Sequence, residues 1–335
     1  MTNLTLEDIA KLAGVSRSTV SRVVNDHPNV RNNVRERVRD IIESKGYQPN
    51  AAARTLASQR SWTIGMILPH SVSFFFTDPF YPHLTKGIAQ GCNQNDYTLA
   101  FFLVQSREDE DCIFPRISRK GMLDGVIIQS GHHGDQGIIG KLIDAKIPLV
   151  VIGRPFRSDN VSYIDIDNIN AAYGAVTHLI RRGYKRIGTI TGPIESTVGI
   201  DRKQGYKKAL QDRGLAVDES LVVEGDFTEA SGYYAMQQLL PRGPDAIFAA
   251  ADIMAIGAMR AVREAGLTIP DDVAFIGFDD LPIATMSEIQ LTTVRQPVDE
   301  LGTKAVELLL DLIENDPHPP SHLILGTELV IRDSC

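Results

Sequence analysis

The side chains with most scope for chemistry fall into two groups. Arg17, Ser18, Ser21 and Arg22 are spaced so that a helix would carry them on one face, opposite Val20, Val23 and Val24. Arginine offers a rigid fork of donors that fits a guanine edge, and serine adapts to bases or phosphate, so such a face suits the major groove of DNA. Further along, Arg154 and Asp279 follow apolar runs at matching places of an internal repeat, and Ser73 to Tyr81 holds five aromatic residues in a chain that is 7% aromatic. Flat rings suit the C–H faces of sugars, and charged side chains suit their hydroxyls. Two plainer readings stay open: Arg154 and Asp279 could be partners in ion pairs between lobes, and Phe80, Leu84 and Ile88, at i, i+4 and i+8, could all be core.

Other chemistries find little support. His132 and His133 beside Asp135 are adjacent on a Gly-rich loop and would project apart, and no HExxH pattern backs a metal site, so no metal is expected. There is no GxxxxGK[ST], GxGxxG or GxSxG motif, so neither an enzyme nor a bound cofactor is expected. Cys92, Cys112 and Cys335 form no CxxC pair, which suits a reducing cytoplasm. No apolar run approaches the roughly 18 residues that span a bilayer, and the N-terminus lacks a signal core, so no membrane partner is expected.

The elements that must position these residues are of two kinds. Over residues 1–60 ten Lys/Arg stand against six Asp/Glu, whereas the whole chain of 335 residues carries a net charge of −8. A small basic module joined to a large acidic one points to a polyanion-binding head. In that head Thr5 caps a first helix with Asp8 three residues on, Gly14 makes the turn, Ser16 caps a second helix, and a third runs from about Asn32 to Ser44. Pro49 ends that helix, and Asn50 can cap a short alanine-rich piece through Leu56, too short to be stable alone. Beyond Trp62, apolar runs alternate with amphipathic stretches, the pattern of parallel sheets covered on both faces. Asp124-Gly125-Val126-Ile127-Ile128 precedes Pro148 by 24 residues, and Asp245-Ala246-Ile247-Phe248 precedes Pro270 by 25, which implies two similar lobes. Ligands of such sheets bind at the carboxyl ends of the strands, in a cleft the lobes share.

The pattern Thr5-x-x-Asp8-Ile9-Ala10-x-x-Ala13-Gly14-Val15-Ser16-x-x-Thr19-Val20-Ser21-Arg22-Val23-x-Asn25 resembles the headpiece of the lactose-repressor (LacI/GalR) family of bacterial transcription regulators. The resemblance covers essentially the whole chain. It implies an all-α helix-turn-helix headpiece (1–48), a hinge helix and linker (49–61), and a two-lobed α/β effector domain similar to type I periplasmic binding proteins (62–335). One lobe is expected over about 62–163 and 295–322, the other over about 164–292 and 323–335. A cytoplasmic homodimer on near-palindromic double-stranded DNA follows. DNA contacts are implied for Thr5, Ser16, Arg17, Ser18, Thr19, Ser21, Arg22, Asn25, Arg31, Asn50, Ala53 and Arg54, with Leu56 wedged into the minor groove. Effector contacts are implied for Phe80, Arg154, Arg202, Asp252, Asp279 and Gln296. Relatives have Asn where this chain has Ala251, which removes one polar contact. The effector is expected to be a sugar, a nucleobase or other metabolite being the alternative, and a solute-binding protein of an importer is the rival to the regulator. Phe74 to Phe76 read as a loop that covers ligand or meets a second subunit.

Overall fold

The computed structural model describes residues 4–24, 28–47, 60–68, 71–130, 137–156, 160–315 and 319–335. The chain forms two compact units, residues 1–61 and 62–335. The first holds helices α1 (Leu6–Ala13), α2 (Arg17–Val24) and α3 (Asn32–Lys45). The Asp8 carboxylate accepts the Thr5 backbone N–H (2.9 Å) while Thr5 Oγ1 accepts that of Asp8 (3.3 Å), so two donors without helical partners are satisfied reciprocally. Gly14 ends α1 at φ 62°, a conformation that costs glycine nothing. Ile9, Ala13, Val20, Val23, Val38 and Tyr47 form the buried centre of this unit.

The second unit has two six-stranded sheets. The first contains β1 (Thr63–Leu68), β2 (Thr98–Leu103), β3 (Gly125–Gln129), β4 (Leu149–Ile152), β5 (Ser162–Ile166) and β11 (His322–Leu325). The second contains β6 (Ile187–Thr191), β7 (Val222–Glu224), β8 (Ala246–Ala249), β9 (Ala274–Asp279), β10 (Thr292–Arg295) and β12 (Glu328–Val330). Their orders, β2-β1-β3-β4-β5-β11 and β7-β6-β8-β9-β10-β12, are the same topology used twice, and only the β10–β12 pairing is antiparallel among the described strands. The repeated aspartate has a physical basis. Asp124 Oδ2 accepts the Trp62 N–H (2.9 Å) just before β1, and the Asp245 carboxylate accepts the N–H groups of Lys185 (2.8 Å) and Arg186 (3.0 Å) just before β6. In each lobe one carboxylate thus ties the start of the first strand to that of the third.

The chain passes between lobes after β5, after β10 and after β11. Expected near 163 and 322, the first and third crossings instead fall after Ile166 and Leu325. The reason is that β5 and β11 pair side by side, Tyr163 with His322 through Ile166 with Leu325, so the two strands leave the first sheet together. Between β1 and β2 the structure has two helices, α4 (Val72–Thr77) and α5 (Phe80–Gln94). The Phe74–Phe76 stretch is therefore helical and not a loop: Ser71 Oγ accepts the Phe74 N–H (3.0 Å), and Asp78 and Pro79 separate α4 from α5. α5 lies against α12 (Val298–Glu314) so closely that a Cβ on Gly87 would strike the Asp299 backbone. That contact fixes where the N-terminal turn of α5, with Phe80 and Tyr81, meets the cleft.

Candidate DNA-binding face and effector cleft

On α2, Arg17, Ser18 and Arg22 are exposed and Ser21 is half-buried, while Val20 and Val23 face the core. Arg17 Nε lies 3.2 Å from Glu7 Oε1, with both side chains more than half exposed. Such a pair is worth little in water and can yield to phosphate or guanine. Ser16 Oγ is shared with Ser18 Oγ and Thr19 Oγ1, each at 2.8 Å, and it also accepts the Thr19 N–H at 3.2 Å, so these hydroxyls order the start of α2. Thr5 is similarly occupied by its capping box. Arg31 is exposed at the N-terminus of α3, which has no side-chain cap, a suitable place for a backbone phosphate. Asn25, Asn50, Ala53, Arg54 and Leu56 lie outside the described residues, as do His132, His133 and Asp135.

In the second unit the carboxyl ends of both sheets face a cleft of about 800 Å³, counted to its open mouth. Phe80 and Tyr81 on α5, with Asp78 before it, form one wall together with Gln129, Gly153 and Asp165. Opposite stand Arg202 on α9 (Thr197–Asp212), Asp279 at the end of β9, and Phe227 before α10 (Glu229–Leu239). Gln296, at the second crossing, joins the lining.

Arg202 is the hub of this wall. Its Nε donates to Asn168 Oδ1 (2.8 Å) at the start of α8 (Asn168–Arg182), and its Nη1 to the Ala250 carbonyl (2.6 Å). The guanidinium lies over the Phe278 ring, 3.6 Å from its centre, and 3.8 Å from Asp279 Oδ1. Asp279 accepts from Gln296 Nε2. Burial raises its carboxyl above the usual range, and the Arg202 charge works against that rise. Asp279 (φ 127°) and Asp280 (φ 56°) are successive non-glycine residues at positive φ, strain that clusters at functional sites. Asp280 is clamped by Arg295 (2.7 Å) and Arg332 (2.5 Å), which holds the strained turn.

Two of the six expected effector residues stand elsewhere. Arg154 follows β4 but turns to Asp201 on α9, with Nη2 2.8 Å from Oδ1 and Nε 3.3 Å from Oδ2, so it is an ion pair between the lobes and Gly153 lines the cleft in its place. Asp252 begins α11 (Asp252–Glu264) behind the wall, fully buried; it accepts from Thr293 Oγ1 (2.5 Å) and the Leu281 N–H (3.2 Å) and so fastens β10 and the turn after β9. Ala251 occupies the cap of α11 without a side-chain bond and lines the cleft.

Asp78 and Phe227 also line the cleft, and the sequence reading does not single them out. Burial pushes the Asp78 carboxyl up to about 6, against the Phe80 N–H that it accepts (2.9 Å) and the Arg202 charge. Its signal was its place directly before Pro79-Phe80. Phe227 had none: its position depends on a φ of 63° that brings the ring onto Gly192, where a Cβ would collide with it.

Residues 5–50 match bacterial regulatory proteins of the lacI family, and residues 176–335 match a periplasmic binding protein-like domain. The HTH-type transcriptional regulator CelR of Thermobifida fusca is 38% identical over 98% of both chains, and catabolite control protein A of Priestia megaterium is 34% identical over 99% of both. Among solved structures, a CelR–cellobiose complex superposes with a TM-score of 0.79 at 36% identity, covering 99% of this chain and 100% of that one. The lac repressor dimer bound to operator and the anti-inducer ONPF gives 0.83 at 27% identity, over 99% of both chains. Helix-turn-helix unit, twinned lobes and whole-length likeness agree: the chain belongs to the LacI family of bacterial transcription regulators, which bind DNA and are not enzymes.

Proposed function

We propose that this regulator is a cytoplasmic repressor of carbohydrate-utilisation genes, binding a near-palindromic operator as a homodimer with a sugar effector in the interlobe cleft. The observation that carries the reading is the lining itself. Phe80, Tyr81 and Phe227 offer apolar ring faces, while Arg202, Asp279, Gln296 and Asp78 offer donors and acceptors, the combination a pyranose ring requires. That a relative is described in complex with cellobiose supports the same class. Arg202 also bonds Asn168 at the first crossing, so a ligand that engages it acts beside a connection between the lobes. Effector binding would favour one lobe arrangement and thereby change how two headpieces meet their half-sites, by linkage.

Arg17, Ser18, Ser21 and Arg22 would reach base edges, with Arg31 on phosphate. Leu56 would wedge into the minor groove from the 49–61 hinge. Exposed apolar side chains that a second subunit would cover include Phe76 and Phe101 in the first lobe and Tyr234 and Met286 in the second. Among the described residues no helix is long and apolar enough to cross a membrane. A thermal-shift screen over saccharides, nucleobases and nucleosides tests the effector class: a dose-dependent rise with one saccharide class is expected, and a response to a nucleobase alone would overturn it. Leu56→Ala is expected to weaken specific DNA binding while effector affinity of the free protein holds; equal loss of both would contradict the hinge.

A further inference from the structure

Arg202 is the only cation on the cleft wall among the described residues, and it is already engaged. Its Nε and Nη1 are given to Asn168 and Ala250, its flat face to Phe278, and the carboxylates of Asp78, Asp165, Asp252 and Asp279 all act on its charge. Arg154, the next guanidinium, is turned to Asp201. Asp165 is held by the N–H groups of Arg154 (2.9 Å) and Ile166 (2.8 Å), and Asp279 accepts from Gln296 at Oδ1. Asp78 differs: Oδ1 accepts the Phe80 N–H, and among the described residues no donor reaches Oδ2, on a side chain that lines the cleft. An entering anion would meet Asp78, ionised above about pH 6, beside a single guanidinium whose charge the neighbouring carboxyl groups already balance, at short range and low dielectric.

We infer that the cleft selects effectors by charge, accepting an uncharged polyhydroxylated ligand and rejecting its anionic counterparts such as sugar phosphates and uronates, with Asp78 as the specificity-determining residue. The inference rests on the cleft being the effector site, and not on the effector being a sugar.

The test titrates the full-length dimer with matched pairs: glucose and glucose 6-phosphate, cellobiose and its 6-phosphate, galactose and galacturonate, adenosine and AMP. The neutral member of the pair that binds is expected to bind at least about tenfold tighter than the anion. Asp78→Asn, with Asp78→Ser as the second variant should the first not fold, is expected to narrow that ratio at least about threefold. An anion that binds as tightly as its neutral partner overturns the inference, as does an unchanged ratio in a folded variant. Tight binding of a sugar phosphate would overturn charge selection and leave the sugar reading standing. Binding of adenosine over AMP with no sugar response would do the reverse, and no response to any neutral member overturns both.

Discussion

The two lobes of the effector unit repeat one strand order, yet the residues at their equivalent strand ends do opposite things. Asp279, closing β9, stays on the cleft wall beside Arg202 and Gln296, whereas Arg154, just after β4, leaves it for Asp201. A repeat determines where a side chain starts. What it does there depends on what the other lobe sets opposite.

The largest effect is expected at Arg202, on the Asp279 side of that contrast, whose charge is balanced by four carboxyl groups drawn from both lobes. Arg202→Ala leaves buried acids without their counter-charge and should destabilise the effector unit by about 3–5 kcal/mol in chemical denaturation, less at acid pH where the carboxyls are protonated. Next comes the contrast itself. Asp279→Asn should weaken effector binding by about 10–100-fold, as expected on losing the charge from a buried hydrogen-bonding group, while Arg154→Ala should cost less than about fivefold in calorimetric titration. Equal losses would mean that the lobes are functionally symmetric after all.

Asp78 sharpens the comparison through pH. Its carboxyl sits at about 6 in the folded protein, above the unfolded value of about 3.9, so protonation favours the folded state. The stability this group contributes is fully present below about pH 4 and is lost as pH rises through 6. Asp78→Asn should therefore be more stable than wild type by about 1–2 kcal/mol at pH 7.5 and indistinguishable from it at pH 4, by urea denaturation. The smallest effect is expected at Arg17, an arginine whose partner Glu7 is exposed. Arg17→Ala should change stability by no more than about 0.5 kcal/mol while weakening DNA binding in fluorescence anisotropy.

What could be read from the sequence was what neighbours in the chain decide. The Thr5–Asp8 capping box, the turn at Gly14 and the Val20/Val23 stripe depend on residues a few positions apart, and the paired aspartates Asp124 and Asp245 left a visible repeat because each performs the same strand-tying task. The partner of Arg154 is 47 positions away and on the other lobe, and Asp252 is buried by β10, 41 positions on. Neither separation has a period or a local signature. The Phe74–Phe76 helix was hidden for another reason: consecutive aromatics are modest helix formers, and the Ser71 cap and the packing of Phe75 on Tyr81 and Phe101 make up the difference.

The most direct test of the central claim joins cleft to DNA. Operator affinity of the full-length protein, on a duplex selected in vitro, would be followed by anisotropy across a titration of the saccharide that raises its melting temperature. The account expects an affinity change of about 5–150-fold, with a midpoint that matches the saccharide dissociation constant and moves to about 10–100-fold higher saccharide in Asp279→Asn. Unchanged DNA affinity at saturating saccharide would contradict it.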